Sequence, residues 1–209
     1  KSYFLVTLFF YFTPFHPNSF NIVFYLIYMF YTYYYTSPIG KITLASNGTH
    51  LTGLWMEGQK YFPSYLPADK TTTLLSVFWQ TQEWLDAYFK GENPDYLPNI
   101  ELKDTPFRLA VWEILKHIPY GETVTYKDIA KEVARQNNRQ SMSAQAIGGA
   151  IGHNPVSIII PCHRVIGSNG SLTGYAGGIE RKIALLKLEG IDTGKFTLPP
   201  LKDTKNPLR

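Results

Sequence analysis

Residues 125–152 read TYKDIAKEVARQNNRQSMSAQAIGGAIG, and the organisation of the chain follows from how that stretch is punctuated. Thr125 stands three positions before Asp128, the spacing of a capping box, in which hydroxyl and acidic side chain each satisfy a free backbone N–H at a helix start. Ile129, Ala130 and Val133 then fall on one helical stripe. A polar link runs from Arg135 to Gln140, and Ser143 is placed to cap a further helix from Ala144 to Gly152. Upstream, Phe107, Ala110, Val111, Ile114 and Ile118 share a helical face that Pro119-Tyr120-Gly121 stops. Three short helices with a polar connection fit a helix-turn-helix. Spacing alone fits a generic helical subdomain equally well.

The last of these helices has an unusual surface. Ala144, Ala146, Gly148, Gly149 and Ala150 are all tiny, and two glycines cost about 2 kcal/mol of helix propensity against alanine. Small residues at this density let a helix approach another backbone closely. That partner is either a neighbouring helix or the sugar-phosphate chain of a nucleic acid.

Toward the N-terminus the chain reads as β-structure. Phe30 to Thr36 is aromatic and β-branched, Ser37-Pro38-Ile39-Gly40 is a turn, and Lys41 to Ala45 alternates polar and apolar. Ser46-Asn47-Gly48 signals a hairpin before a strand at Leu51 to Met56. Thr73 fits a helix cap, followed by Leu74, Val77, Phe78, Thr81, Leu85 and Tyr88 at helical spacing, with Gly91 as the stop. Trp55, Trp79 and Trp84 are expected in the core. The domains are thus expected at 29–92 and 105–194, joined by a Pro-rich linker at 93–104, with a disordered Pro- and Lys-rich tail at 195–209. No Asp, Glu, Lys or Arg occurs from Ser2 through Gly40. Pro14, Pro17 and several polar residues break the run a membrane span needs, although Ile22 to Phe30 is apolar enough to keep that reading open, and no signal-peptide cleavage pattern follows. Residues 1–28 are therefore expected to be a non-native upstream extension or a disordered aromatic segment, with Met29 as the natural start.

Composition sets wider bounds. With 44% hydrophobic and 17% charged residues the chain can build a packed core rather than remain disordered. Residues 1–100 carry 5 Lys/Arg and 6 Asp/Glu, and residues 101–209 carry 15 and 10. A C-terminal half with that positive excess suits a polyanionic partner, although an ordinary solvated basic face is the commoner cause. Cys162 is the sole cysteine, which excludes an intramolecular disulfide and a multi-thiolate zinc site. A lone thiol fits a reducing compartment, read here as the cytoplasm.

That cysteine follows Val156 to Ile160, which reads as a short apolar strand, and it precedes His163 and Arg164. A histidine or arginine near a thiol favours the reactive thiolate. Consecutive strand side chains point to opposite faces, so His163 reaches the sulfur only through a bend or a bridging water. By spacing alone, such a pair is more often structural than nucleophilic.

The wider pattern is more specific. Ile160-Pro161-Cys162-His163-Arg164-Val165-Ile166-Gly167 resembles the active-site signature of the O6-alkylguanine-DNA alkyltransferases. Phe107 to Leu115, Ile118 to Glu122, Gly148-Gly149-Ala150, Gly152 to Pro155, Gly174 to Gly178, Leu185-Leu186 and Glu189-Gly190 follow in that family's order and spacing. A weaker likeness covers Tyr33 through Phe62. The resemblance implies an α/β (α+β) chain with a small ribonuclease-H-like N-terminal domain and a winged helix-turn-helix-like catalytic domain. It implies direct, single-turnover transfer of the alkyl group from O6-methylguanine in double-stranded DNA to a cysteine, with O4-methylthymine left open as a second lesion. The protein would act as a monomer on the minor groove, flipping the base out, with no cofactor, metal or membrane.

Residue roles follow from the same resemblance. Cys162 would be the acceptor, linked through water to His163, which Glu189 orients. Tyr126 would donate a hydrogen bond to the leaving guanine. Asn154 would tie the last helix to the active-site turn. The Cys162 and Val165 carbonyls would accept from the guanine amine, Tyr175 and Ala176 would wall the pocket, and Arg164, Gln145 and Ala146 would contact substrate or DNA. Many family members carry an arginine where this chain has Gln145. Glutamine can fill the space left by the flipped base but brings no charge. Two other readings remain open: a lesion binder without transfer, whose known kind lacks the cysteine, and a winged-helix transcriptional regulator.

Overall fold

A computed structural model describes residues 31–64, 66 and 74–198. The expected extension at 1–28, the start at Met29, the cap at Thr73 and the tail from 199 lie outside the described residues.

Three antiparallel strands open the fold: β1 (Tyr31–Ser37), β2 (Gly40–Ser46) and β3 (Leu51–Met56), in that spatial order. Tyr35 pairs with Ile42, and Leu44 with Leu54, with an irregularity between Ala45 and Ser46. Ile42, Leu44, Leu54 and Met56 are buried beneath helix α1 (Ser76–Phe89), which contributes Val77, Phe78, Thr81, Trp84, Leu85 and Tyr88. The helix begins after Leu74, which is exposed, but Val77, Phe78, Thr81, Leu85 and Tyr88 are buried as their spacing predicts, and Trp84 joins them. Trp55 and Trp84 are core residues as expected. Trp79 is not: it is 52% exposed, because its position places it on the outer side of α1.

The segment after α1 is paired rather than free. Leu51 N–H donates to the Asn99 carbonyl at 2.7 Å, and Glu101 N–H to the Leu51 carbonyl at 3.0 Å. Helix α2 (Pro106–Lys116) starts with Pro106 at its first position and Thr105 as cap. Its buried face is Val111, Trp112 and Leu115, rotated from the expected stripe, with Phe107 and Ile114 only partly covered. The Trp112 indole explains the rotation, since its N–H donates to the Ala150 carbonyl at 2.8 Å and fixes α2 on the last helix of the motif.

A two-residue strand β4 (Val124–Thr125) leads into α3 (Tyr126–Gln136), where the Thr125–Asp128 capping box is fully formed. Helix α4 (Ala144–Gly152) starts at a Ser143 cap. Strand β5 (Val165–Ile166) runs parallel to β4, and α5 (Ile179–Leu188) closes the fold.

The expected strand at 156–160 is not one. Only Val156 bridges to Leu54, and the chain then turns, with Ile158 at φ +71°. A β-branched residue in that region is a local strain, held here by complete burial. An apolar run announces burial but not backbone shape. Leu54 N–H donates to the Pro155 carbonyl at 2.8 Å and Ser157 N–H to the Leu54 carbonyl at 3.0 Å, so β3 and this turn are stitched together. One continuous apolar core, from Tyr35 to Leu185, runs through both halves. At the end of the described chain, Leu172 N–H donates to the Thr197 carbonyl at 3.0 Å and Phe196 packs beside Leu172 and Leu186. The expected disorder therefore does not begin at Lys195.

Candidate active site

Cys162, His163 and Arg164 form a single 3-10 turn between the strained Ile158 segment and β5. The concern about opposite strand faces falls away, because these residues are not in a strand. Cys162 is 5% exposed. Its Sγ accepts a hydrogen bond at 3.2 Å from Asn154 Nδ2, which also donates to the Ile160 carbonyl at 2.8 Å, while Asn154 Oδ1 accepts from Val156 N–H at 3.1 Å. Asn154 thus joins the end of α4 to the cysteine segment with two bonds, and the third closes its own turn. Burial pushes the Cys162 thiol up, against the Asn154 hydrogen bond and the charge of Lys182, which both favour the thiolate.

His163 is fully buried, with Nε2 2.7 Å from Glu189 Oε1. Among the described residues its Nδ1 has no hydrogen-bond partner. Glu189 caps the C-terminus of α5 and accepts from Arg164 Nε at 2.8 Å, Arg164 Nη2 at 3.0 Å, Gly121 N–H at 3.2 Å and the Tyr88 hydroxyl at 2.7 Å. Burial alone would raise this carboxyl, but its hydrogen bonds to His163 and Arg164, with their charges, bring it down to about 2. A carboxylate at neutral pH requires the imidazole hydrogen on Nε2, which leaves Nδ1 as an acceptor. Burial lowers His163 in turn, against the pull of Glu189. The imidazole is therefore neutral near pH 7.

The walls come from two loops and a helix start. Tyr126, the first residue of α3, donates at 3.3 Å to the Thr173 carbonyl. Gly174 has φ +81°, and a Cβ there would collide with the Tyr126 hydroxyl, so glycine is needed for the ring to sit in this place. Burial, then the neighbouring Cys162, pushes the Tyr126 hydroxyl up to about 12, so it is a donor at any physiological pH. Tyr175 is buried, its ring 6.4 Å from that of His163. Ala176 is held by its carbonyl, which accepts from Lys60 N–H at 3.1 Å. Val165 is buried, and its carbonyl accepts from Lys182 Nζ at 2.6 Å.

Cys162, His163, Glu189, Asn154, Tyr126 and Tyr175 are thus brought around one site. Gln145 and Ala146 are exposed on α4, on the face opposite the buried Ile147, Ala150 and Ile151. Added Cβ atoms at Gly148 and Gly149 would meet nothing within 4 Å. These glycines do not serve a neighbouring helix. Arg164 departs from expectation: its Nη1 donates to the Ile118 carbonyl at 2.6 Å and the rest of its guanidinium to Glu189, so the side chain faces inward and is not a DNA contact.

Two residues of the site escape the sequence reading. Lys182 is fully buried, holds the Val165 and Thr173 carbonyls, and is brought down by burial to about 8. A lysine in register with Ile179 and Leu186 on an apolar helix face was a readable signal. Tyr88 looks in sequence like any other member of the α1 stripe. Among the described residues, no cluster of three His, Cys, Asp or Glu side chains is arranged for a metal, and no helix is long and apolar enough to cross a membrane.

Comparison with known proteins matches residues 29–102 to the ribonuclease-like domain of 6-O-methylguanine DNA methyltransferase and residues 106–191 to the DNA-binding domain of the same family. The chain is 46% identical over 153 residues to a Mycobacterium tuberculosis methylated-DNA–protein-cysteine methyltransferase, covering 73% of this chain and 88% of that one. It is 41% identical over 165 residues to the protein of that name from Haemophilus influenzae, with 78% and 87% covered. A crystal structure of the Mycobacterium tuberculosis O6-methylguanine methyltransferase aligns with a TM-score of 0.65 at 44% identity, over 77% of this chain and 93% of that one. Another, of the Mycobacterium tuberculosis OGT in complex with DNA, gives 0.64 at 43% identity, over 77% and 91%. With both family domains matched in order around a buried Cys-His-Glu site, the chain belongs to the methylated-DNA–protein-cysteine methyltransferase family.

Proposed function

We propose that the protein repairs DNA by moving the alkyl group of O6-methylguanine onto Cys162, once per molecule, as a monomer on the minor groove in the cytoplasm. The observation that carries this is the buried turn on which the Cys162 sulfur meets Asn154 and is followed by a His163–Glu189 pair with a free imidazole acceptor. In this reading the thiol proton passes through a bridging water to His163 Nδ1. The thiolate attacks the alkyl carbon in line, the S–C bond forms, and the C–O6 bond breaks with its electron pair going to guanine. Tyr126 donates a hydrogen bond to the guanine ring as charge develops there. Glu189, held by several donors, stabilises the imidazolium without taking its proton. The thioether is stable, so the site is spent.

The exposed, nearly side-chain-free face of α4 is the part suited to the narrow minor groove. Gln145 on that face fills the space of the flipped base. The functional units are residues 29–92 and 105–194. The test is to incubate the protein with DNA holding labelled O6-methylguanine. The reading expects label on protein in a one-to-one ratio, and binding without transfer would overturn it.

A further inference from the structure

We propose that Tyr88, on helix α1 of the N-terminal domain, is a positioning residue for the transfer site, because its hydroxyl shares the Glu189 oxygen on which His163 rests. The inference rests on the reading of His163 as the base for Cys162. Three donors converge on Glu189 Oε1: the Tyr88 hydroxyl at 2.7 Å, His163 Nε2 at 2.7 Å and Arg164 Nη2 at 3.0 Å. The Tyr88 oxygen also lies 3.4 Å from His163 Nε2. Its ring is fixed independently of that bond, stacked on Trp84 at 5.2 Å and set edge-on to Phe89 and Tyr120. Tyr88 is fully buried, so no solvent competes for the hydroxyl.

Each donor on a shared oxygen withdraws charge from it. Removing the hydroxyl leaves Oε1 with two donors and a stronger field on the imidazole. The imidazolium is then stabilised, and the neutral imidazole that accepts the thiol proton is reached only at higher pH. The other groups facing His163 are Arg164 and Cys162 from its own turn, Lys182 from α5, Glu189 at the C-cap of α5, and Tyr175 from the loop before α5. Tyr88 is the group among them that reaches across from the N-terminal domain.

The test is Tyr88→Phe, which keeps the ring and its packing. The rate of label transfer from O6-methylguanine DNA is measured from pH 5 to 8.5. The acid limb is expected to move up by about one unit, giving a rate up to about tenfold below wild type on that limb and parity by pH 8. A uniform loss with an unmoved midpoint would mark a structural role and overturn the proposal. In parallel, nitrogen-15 NMR follows the His163 titration in a Cys162→Ser background, with and without Tyr88→Phe. The midpoint should rise with the Phe substitution, and an unchanged midpoint refutes the coupling. This arm needs no alkyl transfer. A wild-type protein that transfers nothing would sink the repair reading while the NMR still judges Tyr88. Should Tyr88→Phe not fold, difluorotyrosine incorporated at position 88 retains the bond with a stronger donor, and the His163 midpoint must then fall.

Discussion

Glu189 accepts five hydrogen bonds, from Tyr88, Gly121, His163 and twice from Arg164. A buried ion pair is weak evidence for stability when present, yet removing one partner strands the other. Glu189→Gln is therefore expected to cost about 3–5 kcal/mol of folding stability at pH 7 by leaving Arg164 uncompensated. The sign with pH is fixed by the lowered carboxyl. A carboxylate depressed from 4.5 to about 2 contributes stability that is fully present above about 4.5 and is lost as pH falls toward 2. The gap between wild type and Glu189→Gln in urea unfolding should accordingly narrow between pH 5 and pH 2.5, and a constant gap would contradict this account of the site. Asn154→Ala removes one bond to the thiol and two that pin its turn. It should slow transfer by about tenfold or more and destabilise by about 1–3 kcal/mol, read from transfer kinetics and denaturation of the same preparation.

Helix α4 separates two demands. Its inner face of Ile147, Ala150 and Ile151 is core, and its outer face carries Gln145, Ala146 and Gly149 in the open. Gly149→Ala should raise stability by up to about 1 kcal/mol, because a helical glycine is replaced where a Cβ meets nothing. Gly149→Leu should leave the fold intact and weaken DNA binding by about tenfold or more, at roughly 1.4 kcal/mol per decade. Equal DNA affinity for the leucine variant would remove α4 from the interface. Gln145→Ala should weaken DNA binding and spare reaction with free O6-benzylguanine, and parallel losses in both assays would refute an intercalating role. The capping box and both helix boundaries of this motif were legible, because caps are local chemistry. The turn at 156–161 was not, since six consecutive buried positions carry no periodicity. Nor were the inward course of Arg164 and the reach of Tyr88, which depend on what lies across the core.

Across the whole molecule, the small sheet and the helical half share one apolar core and several cross-bonds. Arg181 of α5 donates to the Ile39 and Glu57 carbonyls, and Tyr88 to Glu189. Calorimetry should therefore show one unfolding transition, with fluorescence from the tryptophans and far-UV signal coinciding. Two resolved transitions would contradict a single core. The order of the halves and the segment that carries Cys162 could be read from the chain because their motifs are contiguous. Their mutual support could not, because it is built from residues about a hundred positions apart. Cys162 is the proposed acceptor, and mass spectrometry after incubation with excess O6-methylguanine DNA tests that assignment. One methyl group per protein molecule is expected, on the Cys162 peptide, and none on Cys162→Ser, which still binds the DNA. Methylation elsewhere, repeated turnover by one molecule, or transfer by the serine variant would contradict it.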